Sequence, residues 1–247
     1  MLRWCGGCLL WAVFSLGFAG ELKLAVAANV LKPAQQIVAD FERVSGHKVV
    51  LSSGATGKFY AQIRHGAPFE VLLAADTETP QKLEAEGLAV AGSRFTYARG
   101  RLALWSAQPG AVDGEAAVLR TGVPKTLAIA NPRLAPYGRA AQQTLERMGV
   151  LARWQGHLVQ GENIAQTHQF VASGNAALGL VALSQVMVDS AWLSGSGWVV
   201  PERWHDPIEQ EAVLLKAGAS NPVAAAFLVY LKSAPATSVL RRYGYGV

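Results

Sequence analysis

The sequence predicts an α/β protein made of two doubly wound domains, or lobes, joined by a two-stranded hinge. Hydrophobic residues make up 51% of the 247 residues, which is enough to fill a substantial core. From Glu21 onward, short apolar runs alternate with amphipathic segments, the pattern of parallel strands covered by helices on both faces. This alternation is interrupted around residues 95–106 and then resumes, which indicates a second unit of the same kind.

The first unit consists of three strand and helix pairs. Its predicted strands cover residues 22–27, 48–51 and 69–75. Its predicted helices cover residues 34–44, 59–65 and 80–86, and Thr79 is the expected N-cap of the last one. Gly46 lies two residues after the first of these helices and Gly87 directly after the third, as expected for C-terminal stops.

The second unit repeats the pattern, with strands predicted at residues 127–130, 157–159 and 178–183 and helices at 138–148 and 164–173. The tail, a strand at 208–215 and a helix at 222–232, is long enough to return to the first unit. The chain is therefore expected to cross between the two units near Thr96 and again near Asp206. We assign residues 21–96 and 207–247 to lobe 1, and residues 97–206 to lobe 2.

Residues 1–20 have the features of an export signal. Arg3 precedes an apolar run over residues 4–16, and small residues follow at Gly17 and Ala19, so cleavage is expected after residue 19 or 20. The apolar run is shorter than the roughly 20 residues of a membrane span. No later segment comes close to that length, so the mature chain is expected to be soluble. Because Cys5 and Cys8 both lie in this leader, the mature chain is also expected to lack disulfides and thiolate metal sites.

The charge of the chain gives little support to a nucleic-acid-binding function. The formal net charge is +5 and the isoelectric point is about 9.4, but the basic residues are scattered singly apart from Arg241 and Arg242. No basic stripe interleaved with aromatic residues is present. The sequence therefore predicts no nucleic-acid partner and only a mild attraction of anions.

Four turns between a strand and a helix carry the main functional signal. In doubly wound sheets such turns lie at the carboxyl ends of the strands, where ligands bind. Each begins a helix whose first N–H groups have no partner in the helix and whose dipole is positive there, so several of them facing one cleft would bind an anion. Taken singly, each turn is better explained by ordinary helix capping, and only the four together favour an anion site. The turns are residues 27–29, 54–57, 135–138 and 162–165.

Motifs for nucleotide binding or catalysis are missing from the sequence. The glycine-rich turn before Lys58 is not a P-loop, because Phe59 stands where Ser or Thr is required. There is no GxSxG or HExxH motif, and the five histidines are dispersed; His168 is expected to be a surface or packing residue. We therefore predict a binding protein without catalytic residues. A secreted hydrolase or transferase that uses the same cleft is the alternative.

Six segments of the chain carry a resemblance to a known protein family. They are AVAAN, SSGATGKFYAQIRHGAPFEVLLAADTETPQKL, GSRFTYARGRLALWS, IANPRLAPYG, ENIAQTHQFVASGNAALGLVALSQ and YGYGV. In order and spacing they resemble the periplasmic molybdate-binding proteins of ABC uptake transporters. The resemblance covers nearly the whole mature chain, and the most telling pieces are NPRLAPYG and GAPFEVLLAAD.

The resemblance implies a two-lobed type II periplasmic binding protein fold that closes on molybdate or tungstate. The ligand would be held as an oxyanion, with no cofactor and no metal ligated directly by the protein. The implied binding groups are Asn29, Thr56 and the backbone N–H groups of Tyr137 and Ile164. The protein would act as a monomer in the periplasm and deliver its ligand to an ABC permease and its ATPase. A signalling receptor with the same fold would differ only in its partner.

Two departures from the family pattern concern hydroxyl groups. Relatives often carry Ser or Thr at the first turn, where this chain has Ala28 and Asn29, and some use a tyrosine where this chain has Ala182. If those hydroxyls bind the ligand in relatives, either Asn29 or Ser53 replaces them here or the binding is weaker.

Protonation separates the anions that such a site could hold. Phosphate keeps a proton near neutral pH and favours a carboxylate acceptor, whereas molybdate, tungstate and sulfate are full dianions. The four turns offer mainly donors; Glu162 and Asp76 are the possible exceptions, and Asp76 is expected to be a cap or an interlobe residue. Lys58 is expected to point into solvent. Sulfate and phosphate therefore remain alternatives.

Overall fold

Two five-stranded sheets organise the chain in a computed structural model that describes residues 19–121 and 126–247. The predicted leader, apart from its last two residues, lies outside this part. The strands are β1 (Glu21–Ala27), β2 (Lys48–Gly54), β3 (Val71–Leu73), β4 (Phe95–Gly100), β5 (Leu102–Ser106), β6 (Leu127–Ala130), β7 (Leu158–Gly161), β8 (Leu178–Ala182), β9 (Met187–Val188), β10 (Ala191–Trp192), β11 (Ser196–Val199) and β12 (Ile208–Leu214).

The helices cover both faces of each sheet. They are α1 (Leu31–Ser45), α2 (Thr56–Arg64), α3 (Glu78–Ala85), α4 (Ala117–Thr121), α5 (Pro136–Arg147), α6 (Leu151–Trp154), α7 (Ile164–Ala172), α8 (Leu183–Val186), α9 (Pro222–Leu231) and α10 (Ala234–Arg242).

The first sheet has the strand order β2-β1-β3-β12-β4. The alternation of side chains along β1 explains its two-sided burial: Leu24 packs into a core with α1 and α9, whereas Ala25 belongs to a second core that contains Phe59 of α2. β1, β2 and β3 are parallel, and β12 runs antiparallel to both of its neighbours. The sheet is therefore mixed, not purely parallel as the alternation alone suggests.

The second sheet has the order β11-β5-β8-β6-β7 and is also mixed. β6 is parallel to β7 and β8, whereas β5 is antiparallel to β8 and β11. One face packs against α5 and α6 with Trp154 fully buried, and the other packs around Trp105 and Val171 of α7. Each sheet has helices on both faces, which confirms the predicted α/β fold with two doubly wound units.

The chain passes between the sheets at Arg101 and again between β11 and β12. β4 pairs with β12 in the first sheet, and β5 pairs with β8 in the second. The first crossing thus follows the expected position near Thr96 by a few residues, because Tyr97 and Ala98 are buried in the core of the first unit. The assignment of residues 21–96 with 207–247 and of 97–206 to separate lobes remains a prediction.

The start of α3 differs from the prediction in a way that matters for the site. The helix begins at Glu78, so Thr79 lies inside its first turn and is not the N-cap. The carboxylate of Asp76 accepts a hydrogen bond from the Thr79 N–H at 3.0 Å instead. The expectation that Asp76 acts as a cap or interlobe residue is confirmed.

Within residues 19–121 and 126–247, no single helix is long and apolar enough to cross a membrane. α9 and α10, which are bent by 58° relative to each other, satisfy the criterion of length and composition only when they are taken together.

Candidate functional site

A small cavity between the two sheets is lined by all four turns singled out in the sequence. The space in it that is open to the centre of a water-sized sphere is about 10 Å³, far below the roughly 300–1,000 Å³ of pockets for organic ligands. The predicted residues Asn29, Thr56, Tyr137 and Ile164 all line it. The structure therefore brings the four together around one small cavity. The full lining is formed by residues 27–29, 54–56, 75, 135–137 and 163–164.

Alanine occupies the N-cap position at three of the four turns. Ala27 precedes a 3-10 turn at Ala28–Val30, Ala55 precedes α2, and Ala135 precedes α5. None of these alanines makes a side-chain cap hydrogen bond. Asn163 does cap α7, since its Oδ1 accepts from the N–H groups of Ala165 and Gln166 at 2.9 and 3.0 Å. Ordinary capping thus accounts for one turn and leaves the other three helix starts open.

The backbone N–H groups of Thr56, Tyr137 and Ile164 belong to the first or second residue of their helices. No carbonyl of the same helix precedes them to accept a hydrogen bond, and the helix dipole places partial positive charge at the same points. The three helices begin on both sides of the cavity. α2 follows β2 of the first sheet, whereas α5 and α7 follow β6 and β7 of the second. Together these helix starts give the cavity a positive electrostatic potential, although none of the described residues that line it is charged.

The hydroxyl of Thr56 is oriented by a backbone contact. Thr56 is 1% exposed, and its Oγ1 accepts a hydrogen bond from the N–H of Ala75 at 3.1 Å. Because this bond uses an oxygen lone pair, the hydroxyl proton remains available for donation. Ala75 lines the same cavity, so the structure places a polar donor at its wall.

The side chain of Asn29 forms hydrogen bonds within the protein and not toward the cavity. Its Nδ2 donates to Gln210 Oε1 and to Tyr245 Oη, both at 2.9 Å, so both amide hydrogens are used. Its backbone carbonyl accepts from the hydroxyl of Ser184 at 2.8 Å. The side chain therefore cannot supply the missing hydroxyl donor, and Ser53 is exposed at the end of β2. What Asn29 offers the cavity is its backbone.

A buried hydrogen-bond network lies behind the cavity and was not anticipated from the sequence. Gln210, fully buried on β12, accepts from Asn29 and from Tyr97 Oη at 2.9 Å and donates to Tyr137 Oη at 3.2 Å. Burial raises the pKa of Tyr97 and Tyr137 well above the usual value and that of Tyr245 to about 12. The phenols consequently keep their protons at neutral pH; the hydroxyl of Tyr97 donates to Gln210, whereas that of Tyr137 accepts from it.

Asp76 lies beside the cavity but is not part of its lining. It borders a neighbouring cleft and pairs with Arg139 of α5, whose Nη2 is 3.3 Å from its Oδ2. Burial raises the pKa of Asp76, while the hydrogen bonds from Thr79 and the charge of Arg139 act in the opposite direction. The carboxylate of Asp76 is thus bound by Thr79 and Arg139.

The side chain of Lys58 is 42% exposed and lies outside the cavity, as expected, but it also makes an ion pair across the cleft. Its Nζ lies 2.6 Å from Oε2 of Glu162, which precedes α7 across the cleft. Glu162 is also absent from the cavity lining. Neither Asp76 nor Glu162 therefore supplies the acceptor that a protonated anion would favour.

Two observations on the described residues concern catalysis and metal binding. His168 stacks on Trp105 with ring centroids 5.1 Å apart, and burial lowers its pKa, which fits the expected packing role. Within the two described stretches, no group of three or more His, Cys, Asp or Glu side chains is placed to hold a metal ion.

A sequence-family model for bacterial extracellular solute-binding proteins matches residues 22–246. The chain belongs to this family. Two relatives extend the match. The molybdate-binding protein ModA of Azotobacter vinelandii is 56% identical over 229 residues, which are 93% of this chain and 91% of the relative. ModA of Rhodobacter capsulatus is 48% identical over 227 residues, or 92% and 88%.

Solved structures place this solute-binding protein in the same fold. The periplasmic molybdate-binding protein of Azotobacter vinelandii matches with a TM-score of 0.89 and 41% identity, covering 92% of this chain and 99% of that one. The sulfate-binding protein SubI of Mycobacterium tuberculosis matches with a TM-score of 0.75 at 11% identity, covering 92% and 86%, and shows the fold alone. The resemblance to molybdate-binding proteins and the two-lobed type II fold are confirmed. These relatives are named as binding proteins, not as enzymes.

Proposed function

We propose that this solute-binding protein captures molybdate in the periplasm and delivers it to an ABC permease and its ATPase. The observation that carries the proposal is the convergence of three uncapped helix starts and the Thr56 hydroxyl on one small interlobe cavity. The names of the relatives at 56% and 48% identity support molybdate as the ligand. Tungstate, a dianion of the same shape, is proposed as a second ligand.

The proposed contacts are the Thr56 hydroxyl and the backbone N–H groups of Asn29, Thr56, Tyr137 and Ile164. A hydrogen bond to a charged group contributes on the order of 1.5–3 kcal/mol, so five of them gross about 7–15 kcal/mol. Association offsets at least about 4 kcal/mol of this, which leaves at most about 11 kcal/mol and an affinity no tighter than about 10 nM. Since these groups are all donors, the set favours a full dianion over an anion that keeps a proton.

A thermal-shift panel with molybdate, tungstate, sulfate and phosphate tests this function directly. At a ligand concentration of about 100 Kd, a bound anion stabilises the native state by about 2.7 kcal/mol, so molybdate and tungstate are expected to raise Tm by several degrees. Phosphate is expected to produce no shift, and chloride at matched ionic strength is the control. A chain that molybdate fails to stabilise would not be a molybdate receptor, and a larger shift with sulfate would support the sulfate alternative.

Replacing Thr56 with alanine is expected to weaken molybdate binding by about 1–3 kcal/mol, because one donor to the dianion is lost. Isothermal titration calorimetry on the variant measures this loss. Thr56→Ser keeps the hydroxyl and is expected to retain most of the affinity. If the alanine variant binds as tightly as the unmodified protein, Thr56 is not a ligand group.

A further inference from the structure

The cleft has an outer edge that lies far from both crossings of the chain. β2 is the terminal strand of the first sheet and β7 that of the second, whereas β12, β4 and β5 carry the crossings at the other side. α2 begins just after β2, and Glu162 directly follows β7. A rotation about the crossings would therefore separate Lys58 and Glu162 more than groups next to the hinge.

Two contacts join the lobes at this outer edge. The N–H of Gly57 donates to the carbonyl of Leu134 at 3.0 Å, and Lys58 pairs with Glu162 at 2.6 Å. We call these four residues the outer latch. None of them lines the small cavity, so they connect the lobes without contacting the proposed ligand.

The glycine at position 57 is explained by the close approach of the lobes. A Cβ atom there would lie 3.1 Å from the carbonyl oxygen and 3.3 Å from the Cα of Leu134, tighter than ordinary van der Waals contact. The backbone of Gly57 is not left-handed, and the residue lies inside α2, where alanine would favour the helix. The first lobe alone therefore gains nothing from this glycine, and the contact with the second lobe accounts for it.

We propose that the outer latch determines how long the closed protein retains its anion. The proposal rests on the function proposed above. Latch contacts form only when the lobes meet, so they stabilise the closed state relative to the open one and slow the opening that releases the ligand. The side chains of Lys58 and Glu162 are 42% and 64% exposed, so that pair contributes modestly, and the backbone bond of Gly57 is the stronger element.

The variant Gly57→Ala tests the latch, because its effect on ligand release and its effect on folding can be measured separately. We expect the dissociation rate of molybdate, followed by stopped-flow fluorescence, to rise about ten-fold, with the change carried mainly by dissociation. The Tm of the unliganded variant is expected to stay the same or to rise, because alanine favours the helix. Gly156→Ala is the matched control, since a Cβ at Gly156 would meet no atom within 4 Å.

The outcomes of this experiment separate the two proposals. If the unmodified protein binds no molybdate, the proposed function fails and the latch fails with it. If it binds and Gly57→Ala dissociates at the same rate, the latch alone is refuted. A parallel drop of the unliganded Tm and of the affinity would mean that Gly57 supports the fold and not closure, which also refutes the latch.

A double-mutant cycle isolates the charged part of the latch. Lys58→Ala and Glu162→Ala are each expected to speed dissociation roughly two- to five-fold at low salt, with no further loss in the double variant. The effect should shrink at high salt, and the charge-reversed pair Lys58→Glu with Glu162→Lys should restore slow release. Lys48→Ala, which breaks a pair with Glu42 inside the first unit, is the control. Fully additive losses without rescue would show that Lys58 and Glu162 do not act on each other.

Discussion

Replacing Gln210 with methionine is expected to lower the free energy of unfolding by about 2–4 kcal/mol. Gln210 is fully buried, and its amide serves three partners at once: Asn29, Tyr97 and Tyr137. Methionine has a similar length and no strong hydrogen-bonding group, so the change removes the polar contacts with little change in volume. A buried donor without a partner costs on the order of 1–3 kcal/mol.

The same substitution is expected to weaken anion binding, because Gln210 holds Asn29 at the first turn and Tyr137 at the third. Urea denaturation measures the stability change, and calorimetric titration with molybdate measures the affinity. Gln81→Met, at an exposed position on α3, is the control and is expected to change neither quantity. Wild-type stability in Gln210→Met would mean that the network contributes little to the fold.

Gly138→Ala is expected to cost about 2–4 kcal/mol of stability and to reduce molybdate affinity at least ten-fold. A Cβ at Gly138 would lie 2.3 Å from the carbonyl oxygen of Ala130 and 2.8 Å from the carbonyl carbon of Asn131. Both are backbone atoms at the end of β6, so the side chain cannot be accommodated by a rotamer change. The start of α5 has to move away from the strand, and the N–H of Tyr137 moves with it.

Gly114→Ala provides the matched control, because a Cβ at Gly114 would meet nothing within 4 Å and its backbone is not left-handed. Chemical denaturation and titration of both variants give the two quantities. An affinity that survives in Gly138→Ala despite reduced stability would show that the start of α5 does not hold the anion. Unchanged stability would contradict the packing argument itself.

Much of the fold was predictable because its signals are local. The alternation of apolar runs and amphipathic segments placed most strands and helices within a few residues, as for β6, predicted and observed over 127–130. The mixed sheets were not predictable in this way. The antiparallel strands β5 and β12 carry the chain between the lobes, and their direction depends on the distant strands with which they pair.

The site was predictable to the level of its turns and not to the level of its atoms. Helix starts after strands identified the four turns, and Asn29, Thr56, Tyr137 and Ile164 indeed line one cavity, although their binding of an anion stays a prediction. The alanines at the N-cap positions were visible in the sequence and could have shown that three helix starts are open.

The alternating elements, the glycine-rich turns and a set of donors without counter-charges follow from the amino-acid order, because each of them depends on residues close together in the chain. Other contacts follow only from the folded molecule. The amide of Asn29 donates to Gln210 and to Tyr245, the latter 216 positions away, and Lys58 pairs with Glu162. The contacts of Asn29 join distant parts of the chain within the first unit, and the contact of Lys58 with Glu162 depends on how the two sheets are placed relative to each other. No local propensity encodes the position of one lobe relative to the other.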